Sequence, residues 1–204
     1  ESSTVKYEMD VLAFHWLRSG DVERGCDMLQ NAALKALEIG AYKECVNSLS
    51  QAIAYGMKLD KSRVAYWTAL LGYARYCYFD VLTADQIMLK ACQILDDESF
   101  SPQKRTEASI DKMVRQYGEF DDAPTVVDGT FTDADRTKML ASFVFSEGIT
   151  RPYNIQPKVM KDYGLTEEEV VANAKWYKYY ALTASYKSND IDIWFRCHVL
   201  WPQS

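Results

Sequence analysis

The chain has 204 residues, of which 48% are hydrophobic and 25% charged, with only 9 Gly and 5 Pro. This composition is globular and excludes wholesale disorder, and the scarcity of turn residues favours long helices over many short strands. A net charge of −6 without a Lys/Arg cluster argues against nucleic acid and anionic membranes as partners. No apolar run approaches the roughly 20 residues of a membrane span, so we expect no membrane insertion.

Apolar residues recur at helical spacing through the first half of the chain, interrupted at Gly20-Asp21, Gly40 and Gly56. They predict five helices. The first covers about 2–19, the second lies between the Gly20 break and Gly40, and the other three cover about 41–55, 63–79 and 82–95. The stripe expected to face inward on the first helix comprises Val5, Met9, Leu12, Ala13 and Trp16.

The second half begins with a predicted short helix from Ser101-Pro102 to Tyr117. Residues 119–132 show no helical period, and prolines mark an extended connection near 152–157. We therefore divide the chain into helical repeats at 1–98, a short helix and acidic linker at 99–131, and a helical segment at 132–204.

The segment 132–204 contains three predicted helices. The first covers about 133–146, with an inward stripe of Met139, Leu140, Phe143 and Val144. The second opens at a capping box, Thr166 with Glu169, and runs to about Lys187. The third is capped by Asp190 and runs towards Trp201.

One spacing of small and apolar residues occurs twice, 39 residues apart. The first copy comprises Ala33, Cys45, Leu49 and Ala52, and the second comprises Gly72, Ala84, Met88 and Ala91. Small residues at such intervals let antiparallel helices approach closely while a larger residue fills the gap between them. The spacing therefore predicts stacked helix pairs.

Residues 9–55 resemble the tetratricopeptide (TPR) array near the C-terminal end of large class III nucleotide cyclases and STAND-type ATPases. The similar features are a helix ending at Gly20-Asp21, the small-residue helix Ala32–Ala36, the turn Gly40-Ala41-Tyr42 and a helix ending at Ala52. The resemblance implies an all-α, TPR-like α-solenoid of antiparallel helix pairs, followed by an irregular helical part. Residues 132–195 are similar to the C-terminal α-solenoid of endosomal tethering subunits.

Chemistry-bearing residues do not cluster in a catalytic or metal-binding pattern. His15 and His198 lack partners at metal-ligand spacing, and adjacent Cys197 and His198 diverge on a helix. The acidic run 167–169 lies at a predicted helix start and the run 121–122 lies in a predicted loop. Neither arrangement indicates an acid/base pair or a calcium site. We expect no enzyme activity, no cofactor and no metal.

The five cysteines form no CxxC pair, and most lie within helical patterns, where Cys behaves as a small buried apolar residue. We therefore expect them to be free, in a reducing and hence cytoplasmic compartment.

Aromatic residues form the candidate binding sites. Tyr66, Tyr73 and Tyr76 share one helical face, which the repeat frame turns towards a concave groove; the alternative is that they pack on a neighbouring helix. Near the C-terminus, Trp176, Tyr180 and Trp194 belong to a cluster too wide for one buried stripe, so they are either sandwiched between layers or offered to a partner.

These features predict a scaffold segment that binds other proteins through a concave aromatic face and exposed solenoid ends. Because Glu1 is not an initiator residue, we expect the chain to be a segment of a larger protein or assembly. Two alternatives follow from the resemblances: a regulatory TPR segment of a nucleotide cyclase or ATPase, and an endosomal tethering subunit.

Overall fold

The computed structural model describes residues 2–97, 103–105, 108, 110–112, 115, 131–150 and 161–199. All regular structure within these residues is α-helical, which confirms the expected all-α class. The chain divides into two units, Glu1–Leu95 and Asp96–Ser204. Both ends of the predicted helix 101–117 and most of the predicted linker lie outside the described residues. None of the described helices combines the length and the apolar character that crossing a membrane requires.

Five helices form the first unit: α1 (Ser2–Ser19), α2 (Val22–Glu38), α3 (Tyr42–Gly56), α4 (Lys61–Cys77) and α5 (Val81–Ile94). Each helix packs on the next one along the chain, and the short connections make neighbours antiparallel. The side chains of Asp21, Asp60 and Asp80 accept backbone N–H hydrogen bonds at the starts of α2, α4 and α5. The Asp60 cap starts α4 at Lys61, ahead of the expected start at Arg63.

The repeated spacing found in the sequence marks the core of the first unit. All eight of its positions are buried, as predicted. In the second copy, a Cβ added to Gly72 would lie 3.1 Å from Cε of Met88 and 3.2 Å from Cγ2 of Ile87. Gly72 therefore lets α5 approach α4 more closely than any larger residue would.

Helix α1 packs through a different stripe from the expected one. Ala13 is buried, but Leu12 is 47% exposed, so the prediction that Leu12 faces inward is wrong. The reason is the position of Leu17, whose side chain lies against Gly25 of α2, where an added Cβ would be 2.6 Å away. Contact through Ala13 and Leu17 turns Leu12 towards solvent.

Helices α1, α2 and α4 end in turns with the same hydrogen bonds. In each turn, a residue with positive φ donates to the carbonyl three residues back, and the next residue donates to the carbonyl five back. The positive-φ residues are Gly20 (88°), Gly40 (73°) and Phe79 (65°). Glycine adopts this conformation freely, whereas a bulky residue is strained in it. Phe79 is 87% exposed, so packing within the chain does not offset the strain.

We expect Phe79→Gly to raise the free energy of unfolding by roughly 0.5–1 kcal/mol, because the substitution removes the left-handed strain at little packing cost. Urea denaturation monitored by far-UV circular dichroism measures the change. Gly40→Ala at the equivalent position of the α2–α3 turn serves as the matched comparison and should lower stability by about 1 kcal/mol. A loss of stability in Phe79→Gly would contradict this account of the turn.

The second unit contains α6 (Asp133–Thr150), α7 (Glu167–Ser188) and α8 (Ile191–Val199). Helix α6 packs along α7, and α8 contacts both. The predicted inward stripe of α6 is buried, and the helix continues past the expected end at Ser146.

Two predicted caps of the second unit are confirmed. The Thr166 N–H donates to Oε2 of Glu169 at 2.8 Å, and the Glu169 N–H donates to Oγ1 of Thr166 at 3.2 Å. The Ile193 N–H donates to Oδ1 of Asp190 at 3.0 Å, which caps α8. The expected end of this helix near Trp201 lies outside the described residues.

Candidate functional site

The three tyrosines predicted to line a concave groove lie on α4. Tyr73 is 4% exposed and Tyr76 is 6% exposed, while Tyr66 is half-buried. The Tyr73 and Tyr76 rings stack with their centroids 6.4 Å apart. An open groove would leave one side of each ring in solvent, so the structure favours the packing alternative for Tyr73 and Tyr76.

We expect Tyr73→Ala to lower the free energy of unfolding by about 3 kcal/mol, because removing a buried aromatic ring leaves a cavity. Tyr78→Ala, at a half-exposed ring of the same helix end, should cost less than about 1 kcal/mol. Chemical denaturation of both variants gives the comparison. Equal, small losses in the two variants would show that Tyr73 does not belong to the core.

Trp67 is the side chain through which α4 is held to α2. It is fully buried, and its Nε1 donates to Oε1 of Gln30 at 2.6 Å. The Arg63 guanidinium lies 5.1 Å from the centroid of the indole ring and pairs with the carboxylate of Asp27. Sequence spacing does not predict that Gln30 and Asp27 contact α4, because they lie more than 35 residues before Trp67 and Arg63 in the chain.

Trp176 and Tyr180 lie together on α7, with stacked rings 5.4 Å apart. The Arg105 guanidinium sits over Trp176, 3.6 Å from the ring centroid, and 5.3 Å from that of Tyr177. Burial lowers the pKa of the Arg105 guanidinium, and the charge and hydrogen bond of the Tyr177 side chain oppose that shift. One face of Trp176, predicted to receive a partner, therefore carries an arginine of the same chain.

Asn173 holds the segment that contains Arg105. Its Nδ2 donates to the carbonyls of Gln103 and Glu169, both at 2.7 Å. Its Oδ1 accepts the Gln103 N–H at 3.2 Å and Nε of Arg105 at 3.0 Å. All four hydrogen-bonding positions of this buried amide are used. Sequence reasoning missed Asn173, although a polar residue on the apolar stripe of α7 is a signal that could have found it.

We expect Asn173→Ala to lower the free energy of unfolding by about 2 kcal/mol, since the backbone N–H and carbonyl of Gln103 and the Nε–H of Arg105 lose the hydrogen bonds of this side chain. Lys104→Ala is the control in the same segment, because its ammonium is exposed and lies 3.9 Å from Glu169. That variant should change stability by less than about 0.5 kcal/mol. Comparable effects from both variants would remove the special role given to Asn173.

Trp194, the remaining predicted aromatic, lies on α8 with its ring centroid 4.4 Å from that of His198. Its Nε1 is buried and has no hydrogen-bond partner among the described residues. Its ring contact is with its own helix, whereas Trp176 and Tyr180 stack on each other. The three predicted residues are therefore not assembled into one aromatic patch by the ring contacts of the described residues.

Titratable side chains from three helices influence one another in the second unit. Burial lowers the pKa of Lys178 to about 8, while Cys197 and Glu147 oppose the shift. Burial also raises the pKa of Cys197 to about 12, so its thiol stays protonated and is not activated as a nucleophile. Among the described residues, no group of three or more His, Cys, Asp or Glu side chains is arranged to hold a metal ion.

A pocket of about 270 Å³ opens on the first unit between α1, α2 and α3, and we call it the α1–α3 pocket. Its lining includes Asp10, Phe14, Leu17, Arg18, Leu29 and Tyr55. Two of these, Phe14 and Tyr55, are each 54% exposed. The Arg18 guanidinium lies 5.5 Å from the Phe14 ring centroid, so the apolar lining has charged residues next to it.

A second apolar feature surrounds the α4–α5 turn, where Tyr78, Phe79 and Leu82 are exposed. The ammonium of Lys43 lies 5.8 Å from the centroid of the Tyr78 ring. We call Tyr78, Phe79 and Leu82 the Phe79 patch.

No family model, curated protein or solved structure matches this chain. The assignment to TPR arrays therefore stays a prediction that rests on residues 9–55 and on the repeated spacing. The exposed residues of α1 and the α1–α3 pocket are the features from which a function is argued below. Both belong to the first unit, and both present large apolar side chains to solvent.

Proposed function

We propose that this chain is a protein–protein interaction scaffold segment whose first unit is a TPR-like α-solenoid. The packing of α4 supports this arrangement, because α4 contacts α3 and also reaches α2 through Trp67 with Gln30 and Arg63 with Asp27. The α1–α3 pocket likewise joins α1 with α3, its neighbour but one. Contacts of each helix with the next and the next but one are what stacked helix pairs produce.

The observation that carries the proposal is the apolar outer face of α1. In solenoid proteins an outer helix face that stays in solvent is normally polar, whereas an apolar outer face is normally covered by further polypeptide. Here Val11, Leu12 and Phe14 are exposed on α1. Covering one large apolar side chain contributes roughly 1.5–3 kcal/mol, so these residues supply a driving force for association.

The proposed binding surface is therefore the end of the first unit. The buried tyrosines of α4 leave little ring surface for a partner, whereas Phe14 and Tyr55 border the α1–α3 pocket with half their area exposed. Asp10 and Arg18 add one charge of each sign to the lining. An apolar centre with polar surroundings is the usual composition of a protein interface, so the expected partner is a protein that presents an apolar side chain flanked by charges.

Affinity capture with a matched set of variants tests this proposal. The tagged chain is expressed in its own cells as wild type, as the double variant Leu12→Glu/Phe14→Glu and as the control Val171→Glu. Val171 is an exposed apolar residue of α7, outside the proposed surface. We expect a set of proteins that wild type and control retain, and that the double variant loses at least tenfold, as measured by quantitative mass spectrometry.

The double variant must first be shown to be folded, by circular dichroism and thermal melting, because both changed residues lie at the surface. If wild type, double variant and control recover the same proteins in the same amounts, the end of the first unit is not a binding surface. In that case the proposal fails.

A further inference from the structure

One face of α7 holds a short segment of the same chain, residues 103–105, which has no regular structure. The side chains that contact the segment lie at positions i, i+4, i+7 and i+8 of the helix, so they share one face. They are Glu169, Asn173, Trp176 and Tyr177. We call these four residues the α7 face. They meet the segment through three kinds of contact, with its backbone, its arginine and its lysine.

Asn173 contacts the backbone of the segment. Its Oδ1 accepts the Gln103 N–H at 3.2 Å, and its Nδ2 donates to the Gln103 carbonyl at 2.7 Å. Every residue except proline carries the same backbone N–H and C=O groups. This pair of hydrogen bonds therefore fits a peptide of almost any sequence at that position, and the neighbouring contacts must supply the selectivity.

The arginine contact selects a flat cation. Oδ1 of Asn173 also accepts Nε–H of Arg105 at 3.0 Å, and the guanidinium lies 3.6 Å from the centroid of the Trp176 ring and 5.3 Å from that of Tyr177. Aromatic faces attract cations, and the planar guanidinium stacks on them while it donates hydrogen bonds at its edge. A neutral side chain of the same shape would lose the attraction to the two rings.

The charge of the α7 face also favours a basic segment. The ammonium of Lys104 lies 3.9 Å from Oε1 of Glu169, and Glu167 and Glu168 are exposed at the same helix start. Three carboxylates in the first turn of α7 attract a positively charged peptide and repel an acidic one. The face is thus complementary to a segment in which an arginine follows two residues after the one bound through its backbone.

The fold holds the α7 face in place, whereas its occupant lies at the surface. Asn173 and Tyr177 are buried, and the Tyr177 ring lies 5.3 Å from the ring of Phe145 on α6. Packing between α6 and α7 therefore positions the binding groups. Gln103 and Lys104 are exposed. Exchange of the segment for another one with the same groups would leave the packing of α6 on α7 intact.

We propose that the α7 face is a binding site for an arginine-containing peptide segment of a partner protein, and that residues 103–105 occupy it as an internal ligand which such a partner replaces. An internal ligand competes at an effective concentration on the order of 1 mM, so a separate peptide binds the intact chain weakly. A partner that adds further contacts overcomes this competition. The site lies in the second unit and does not depend on the binding surface of α1.

Fluorescence anisotropy of a labelled peptide measures binding to the full chain. The probe is a synthetic peptide with the sequence of residues 100–108. Its control carries citrulline in place of Arg105, which keeps the shape and removes the charge. We expect Arg105→Ala to bind the arginine peptide about tenfold more tightly than wild type does, because the internal ligand no longer competes. The same variant should bind the citrulline peptide about tenfold more weakly than the arginine peptide.

Two further substitutions, each added to Arg105→Ala, locate the binding on the α7 face. Trp176→Leu removes the aromatic face while it keeps an apolar side chain, and it should weaken binding of the arginine peptide about tenfold. Lys175→Ala is the matched control, because Lys175 is an exposed neighbour on α7 outside the α7 face. This control should leave the affinity within about twofold. Circular dichroism and thermal melting establish that each variant is folded.

Arg105→Lys is a second way to weaken the internal ligand, and it serves if Arg105→Ala does not fold. Lysine keeps the charge but lacks the flat fork that stacks on Trp176 and reaches Asn173. This variant should bind the arginine peptide about threefold more tightly than wild type does. The peptide should also raise the melting temperature of either variant, because a ligand that binds only the folded state stabilises it.

Three results would overturn the proposal: folded Arg105 variants that bind the arginine peptide no more tightly than wild type, equal affinity for the two peptides, or binding that Trp176→Leu leaves unchanged. Each of them would make the contact of residues 103–105 a part of the fold alone. None of these variants alters α1, so such a failure leaves the capture of proteins by the first unit untouched. The two proposals therefore fail separately.

Discussion

The close contact of Trp67 with Gly56 is the constraint on which the first unit depends. Trp67 is fully buried, and a Cβ added to Gly56 would collide with its ring and lie 3.5 Å from Sγ of Cys26. One indole ring thus fills the space where α2, α3 and α4 meet, and its N–H finds a partner in Gln30. A larger residue at position 56 would break this contact between α3 and α4, because its Cβ would overlap the indole ring.

In the second unit a buried polar side chain, Asn173, makes the contacts that hold a neighbouring segment against α7. Asn173 is buried in α7 and hydrogen-bonds the backbone of Gln103, so a stretch without regular structure is held against a helix. A buried amide is costly unless all its hydrogen bonds are made, and here they are. The stacked contact of Arg105 with Trp176 follows from this anchor, because Asn173 also accepts the Nε–H of Arg105.

These two cores decide which aromatic residues remain for partners. Tyr73 and Tyr76 are buried in the interior of the first unit, and Arg105 covers one face of Trp176. Large apolar side chains are left exposed on α1 and at the α4–α5 turn, where Phe14 and Phe79 stand in solvent. The proposed binding function is placed on α1 because exposed apolar area, not aromatic content, supplies the driving force for association.

Sequence alone determined what depends on neighbours a few residues apart. The capping box at Thr166, the turn at Gly40 and the repeated small residues are local or periodic patterns, and they predicted the helices and most of the buried positions. Tertiary structure decided the rest. Periodicity cannot say which of two apolar stripes meets a neighbour, so Leu12 was expected inside and is exposed. The burial of Tyr73 and the hydrogen bonds of Asn173 could not be predicted for the same reason: both depend on residues far away in the chain, whose positions only the packed helices define.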